Sequence, residues 1–132
     1  MYENMVNMEQ GLKSMVGKVF KHVVSDDESL MFVCEDGTTY HFYHMQDCCE
    51  NVYVYDIVGE LGDLTNTPLL VAEEQSNVNA NAPHEHSESF TWTYYKFATK
   101  NGYVDVRFVG ESNGYYSESV DLFVYKGNAN DV

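Results

Sequence analysis

The residue pattern predicts a mainly β (α+β) chain, a bent antiparallel sheet or sandwich carrying one or two short helices. Three observations predict it. Runs rich in β-branched and aromatic residues recur at short intervals from Lys18 to Tyr125. Asp-Gly and Asn-Gly pairs, which favour tight hairpin turns, fall between several of those runs. No segment sustains a long helical apolar period, and no internal repeat is present.

In chain order, residues 1–17 predict an N-terminal arm or short helix, with Leu12 to Val16 as one turn ended by Gly17. A single β-rich domain is expected over 18–126 and a disordered tail over 127–132. Within the domain, Val19 to Val24 reads as a strand broken by Asp26-Asp27-Glu28-Ser29. Leu30 to Cys34 and Thr39 to His44 read as a hairpin closed around Asp36-Gly37. Val52 to Val58 resumes the sheet. Gly59 to Asn66 reads as turns or one short helix, and Pro68 to Ala72 as a short apolar strand. Gln75 to Ser89 is a polar loop. The last third reads as a meander of Phe90–Thr99, Tyr103–Val109 and Tyr115–Tyr125, turning at Asn101-Gly102 and Asn113-Gly114. Alternation puts Val104, Val106 and Phe108 on one face, and Val120, Leu122 and Val124 on another. The stripe Phe90, Trp92, Tyr94 has strand spacing and reads as core rather than as a stacking platform.

At 132 residues the chain has the size of one domain, and 44% hydrophobic with 14% aromatic residues supplies a core. Seven Lys and Arg against 21 Asp and Glu give a formal charge of −14. Direct nucleic-acid binding through a basic face is thereby disfavoured, because phosphates need cations. No apolar run is long enough to span a bilayer, and three cysteines do not form a secreted disulfide framework. An intracellular chain with no membrane partner is expected. The charge is uneven: between His22 and Tyr95 there are fourteen acids and no Lys or Arg. Such a block repels itself unless cations or a basic partner offset it. Solubility alone is the plain reading. The sharper one is a partner-binding surface built from Asp26, Asp27, Glu28, Glu35, Asp36, Glu60, Asp63, Glu73 and Glu74.

Chemistry concentrates in His41-Phe-Tyr-His44-Met-Gln-Asp47-Cys48-Cys49-Glu50. A helical turn after His44 would put His44 and Cys48 on one face, with Asp47 and Glu50 forming a capping box. Thiolate, imidazole and carboxylate are the usual donors for zinc, so His44, Asp47, Cys48 and Cys49 are candidate ligands of a structural Zn2+. Cys34, His41 or another carboxylate is an alternative remote ligand. Vicinal cysteines rarely both ligate one ion, and buried structural cysteines are the competing reading. The pair His84 and His86 reads as solvated loop. A Cys/His nucleophile ranks last, since no oxyanion-type glycine cluster flanks the cysteines.

His44-Met-Gln-Asp-Cys-Cys-Glu50, Ala72-Glu-Glu74, Trp92-Thr-Tyr94-Tyr95-Lys96 and Gly110-Glu-Ser-Asn-Gly-Tyr-Tyr-Ser-Glu-Ser-Val120 together resemble a family of small phage and prophage proteins known mainly as a domain of unknown function. The similarity runs from about Lys18 to Phe123. It implies a viral accessory protein in the host cytoplasm, of the kind that looks like inhibitors of bacterial immunity, anti-CRISPR proteins among them. The expectation is a non-enzymatic inhibitor whose acidic surface engages the basic nucleic-acid-binding surface of a CRISPR effector nuclease, alone or as a homodimer. A sponge for a nucleotide immune signal, or a Cys/His-dependent enzyme, is the alternative.

Overall fold

The computed structural model describes residues 4–46, 49–76, 83, 88–114 and 116–126. Nine strands and one α-helix are present among them: β1 (Met5–Val6), α1 (Met8–Met15), β2 (Phe20–Ser25), β3 (Leu30–Cys34), β4 (Thr38–Tyr43), β5 (Asn51–Val58), β6 (Val71–Ser76), β7 (Ser89–Thr99), β8 (Gly102–Ser112) and β9 (Asp121–Lys126). A 3-10 turn spans Leu61–Leu64. The strands form two antiparallel sheets, ordered β1-β9-β4-β3-β2 and β5-β8-β7-β6. Mainly β architecture with a short helix follows directly from the sequence pattern.

One apolar core joins the sheets. Phe20, Phe32, Tyr40 and Phe42 project from the first sheet onto Tyr95, Phe97, Val104, Val106 and Phe108 of the second. Edge-on and tilted ring contacts knit this layer, with Phe32 to Phe97 at 4.8 Å and Phe42 to Tyr95 at 5.1 Å between centroids. Helix α1 adds Leu12 and Met15 to the core. It starts where Asn7 accepts a hydrogen bond from the Gln10 N–H at 3.0 Å, an N-cap that carries the helix further upstream than the single predicted turn.

Two strand expectations are corrected. Of the apolar run from Pro68 to Ala72, only Val71 and Ala72 lie in a strand. Pro68 lacks an amide to donate, and makes only an isolated bridge with Val19. The ladder begins at Val71 and continues through the acids to Ser76, where an exposed edge strand tolerates charge. The second correction concerns β9, which does not continue a meander on β8. It pairs with β4 on one side and β1 on the other, in the opposite sheet. Leu122 faces the core from there, and the crossing segment folds back along β8.

That return depends on Gly110. A Cβ at this position would lie 2.1 Å from the Glu118 carbonyl oxygen, so only glycine lets the two backbones meet this closely. Glu118 is then fastened from both flanking strands, accepting from the Thr91 hydroxyl at 2.9 Å and from the Ser112 hydroxyl. Ser112 in turn accepts the Gly114 N–H at 2.9 Å. The Gly110–Ser119 motif, read from sequence as a plain hairpin tip, is a clasp that redirects the chain between sheets.

Candidate binding face and the His44 clasp

The predicted ligand cluster is only partly within view. Asp47 and Cys48 lie outside the described residues, as do His84 and His86. His44 is buried, and both its ring nitrogens are engaged: Nδ1 lies 2.9 Å from the Ser119 carbonyl oxygen, and Nε2 lies 2.9 Å from Glu50 Oε2. Nδ1 faces a carbonyl, which only accepts, and Nε2 faces the Glu50 carboxylate, at 6% and 2% side-chain exposure. Asp121 Oδ2 stands 3.8 Å from Nδ1. Burial raises the Asp121 carboxyl above its ordinary value, with His44 opposing.

Glu50 therefore does not cap a helix. Cys49 and Glu50 are not helical, and the strand β5 starts at Asn51. Cys49 is disulfide-bonded, whereas Cys34 is a free, buried thiol donating to the Val19 carbonyl at 3.3 Å. His41 points to the other side of β4. Its Nδ1 meets the Tyr125 hydroxyl at 3.1 Å, it stacks on Tyr43 at 4.3 Å, and burial lowers its pKa. Among the described residues no group of three or more His, Cys, Asp and Glu is placed to hold a metal ion. What the 44–50 and 110–120 motifs do together is clear from their contact: His44 ties the end of β4 to Glu50 ahead of β5 and to Ser119 ahead of β9.

The nine predicted partner-binding acids lie at the surface, eight of them exposed and Asp63 half-buried. They do not share one element. Asp26, Asp27 and Glu28 form the β2–β3 turn, while Glu35 and Asp36 form the β3–β4 turn at the opposite end of β3. The first turn abuts β5, since the Asp27 carbonyl accepts the Val54 N–H at 2.8 Å. Glu60 precedes the 3-10 turn and Asp63 lies within it, and Glu73 and Glu74 lie on the β6 edge. Lys18 pairs with Asp36 at 3.1 Å, and Glu74 accepts the Tyr95 hydroxyl at 2.7 Å.

These carboxylates set a pH profile. The Glu28 and Ser29 amides hold the Asp26 carboxyl below its ordinary value, the Thr38 amide does so for Asp36, and Arg107 for Asp56. Their contributions are present above the ordinary carboxylate range and are lost as the pH falls through the lowered values. Asp121, raised by burial, works oppositely, contributing below its unfolded pKa and fading as the pH rises. The self-repulsion of a −14 chain also grows with pH. Urea midpoints should therefore peak at about pH 5 and decline on both sides. A steady climb from about pH 5 to pH 8 would contradict this balance.

The feature that sequence reasoning misassigned is the outer face of the second sheet. The stripe Phe90, Trp92, Tyr94 points away from the core, and Tyr95 and Phe97 take the inner positions. Trp92 is buried by its own neighbours: Tyr55, raised by a bulge in β5, meets it edge-on at 4.9 Å. The Arg107 guanidinium lies 5.3 Å from the Tyr55 ring centroid and 5.7 Å from that of Trp92. It forks onto Asp56, with Nε donating to Oδ1 at 2.7 Å and Nη2 to Oδ2. Burial, aided by a 3.1 Å bond to Glu111, pushes the Tyr53 phenol up to about 12. Beside them a groove of about 700 Å³ is lined by Val58, Glu73, Tyr94, Lys96, Asp105 and Arg107 among others. The signal that could have found this face is the phase slip in Trp92-Thr-Tyr94-Tyr95-Lys-Phe97, where large rings fall on both sides of one strand.

No described helix is long and apolar enough to cross a membrane. A family model described as a domain of unknown function matches residues 13–122. No curated protein and no solved structure matches the chain.

Proposed function

We propose, for a chain that belongs to the DUF7448 family of domains of unknown function, a binding role rather than a catalytic one. It acts as a phage-encoded inhibitor of bacterial immunity in the host cytoplasm, its acidic surface engaging the basic nucleic-acid-binding surface of a CRISPR effector nuclease. One observation carries this reading: eight of the nine acids singled out in the cation-free block stand exposed. A surface built to attract phosphate also attracts such carboxylates. The state of the cluster residues favours binding over chemistry, since Cys49 is in a disulfide and both His44 nitrogens are engaged.

Immobilised protein should retain a CRISPR effector nuclease from host lysate, and the apparent affinity should fall about tenfold or more between roughly 50 mM and roughly 300 mM salt. Retention indifferent to salt, or unchanged phage plating with and without this protein in hosts carrying single defence systems, would sink the reading. A structural zinc on His44, Asp47, Cys48 and Cys49 belongs to the reduced chain, because a disulfide sulfur is not a thiolate donor. It would also require His44 to release Glu50 or Ser119. Elemental analysis of reduced protein decides it, with about one equivalent supporting the site and none removing it.

A further inference from the structure

Register lays out the open face of the second sheet as two rows. Glu73, Lys96, Asp105 and Val58 follow one another across the first, and Gln75, Tyr94, Arg107 and Asp56 across the second. The groove crosses all four strands. Tyr55, Val58 and Tyr103, three of the seven exposed large apolar side chains among the described residues, share this face. Exposed apolar area gathered in one place and set among charges is how a docking surface differs from an ordinary solvated sheet.

The chemistry of its occupant follows from what the face already holds. Arg107 shows one guanidinium seated here, beside the Tyr55 and Trp92 rings and forked onto a carboxylate. Asp56 is matched by Arg107. On the open side of the groove Glu73 and Asp105 flank Lys96, Arg107 is taken up by Asp56, and the Glu74 carboxylate turns to the Tyr95 hydroxyl on the inner side. An entering phosphate would meet the Glu73 and Asp105 carboxylates, whereas an entering guanidinium would find them as acceptors beside Tyr94 and Tyr103. We propose that this face is the docking surface for an arginine-bearing segment of a protein partner, received by Tyr94, Tyr103, Asp105 and Glu73 as Arg107 is received by Tyr55, Trp92 and Asp56. The proposal rests on the acidic-surface reading above and locates it on the second sheet rather than on the hairpin turns.

Trp92 is the only tryptophan of the chain and lies under this face, so its emission reports occupancy. Titration of the intact protein with a hexa-arginine peptide at low salt should give a saturable change in that emission. Tyr94→Ala, and Glu73→Gln combined with Asp105→Asn, should each weaken binding about tenfold. Asp27→Asn with Glu28→Gln, at the β2–β3 turn, should change it by less than about twofold. Circular dichroism verifies that each variant folds. If the turn variant loses the peptide while the face variants keep it, the docking site is overturned and the acidic-surface reading stands. If wild-type protein fails to bind the peptide at all, both fall. Saturation by ATP instead of peptide, or a doubling of mass in sedimentation that Tyr55→Ala with Tyr103→Ala abolishes, would assign the face to a nucleotide or to a second copy and overturn the proposal.

Discussion

Gly110→Ala is expected to destabilise the protein by about 3 kcal/mol, lowering Tm by on the order of 10 °C. The added methyl would meet the Glu118 backbone, with its carbonyl oxygen at 2.1 Å and carbonyl carbon at 2.8 Å. No rotamer change relieves contact between two main chains, so the segment ahead of β9 must move. Moving it breaks the bonds of Glu118 to Thr91 and Ser112, and shifts the Ser119 carbonyl off His44. Thermal melts followed by circular dichroism measure the loss. A variant within about 1 kcal/mol of wild type would show that the clasp is not held this tightly.

His44→Ala should cost more, about 3–5 kcal/mol, because it takes the imidazole away from a buried carboxylate. Glu50 is 2% exposed at its side chain and has His44 as its 2.9 Å partner. The diagnostic is non-additivity. His44→Leu with Glu50→Leu removes both polar groups together, and should recover a large part of the loss of His44→Leu alone. Urea unfolding of the two single variants and the double supplies the cycle. A double variant equal to the sum of the singles would mean that the pair does not interact.

Most strands were legible because their punctuation was. Asp36-Gly37 sits between β3 and β4 with Gly37 at φ +92°, and Leu30–Cys34 is a strand to the residue. The partner of β9 was not legible. Alternation of Val120, Leu122 and Val124 says that one side is buried, but a period of two carries no information on which sheet buries it. Pro68–Ala72 misled because hydrophobicity outranked hydrogen bonding, although a sheet edge can carry Glu73 and Glu74 as readily as valines. His44 and Glu50 fall within one ten-residue cluster, but there Glu50 reads as a helix cap rather than as the partner of His44, and Ser119, 75 residues from His44, lies outside the cluster. The face around Arg107 was hidden for a different reason. Its charge, Asp56, lies 51 positions upstream, and its aromatic neighbours alternate with equally large residues that belong to the core.

The placement of β9 between β1 and β4 has a consequence for synthesis. Ribosomes deliver the chain vectorially, so β4 must wait with one flank bare until residue 126 has cleared the exit tunnel. Until then Thr38–Tyr43 is a sticky template open to any passing extended peptide. A nascent chain paused before Asp121 is thus the species most prone to aggregate, and slowing translation there should lower soluble yield without altering the finished fold.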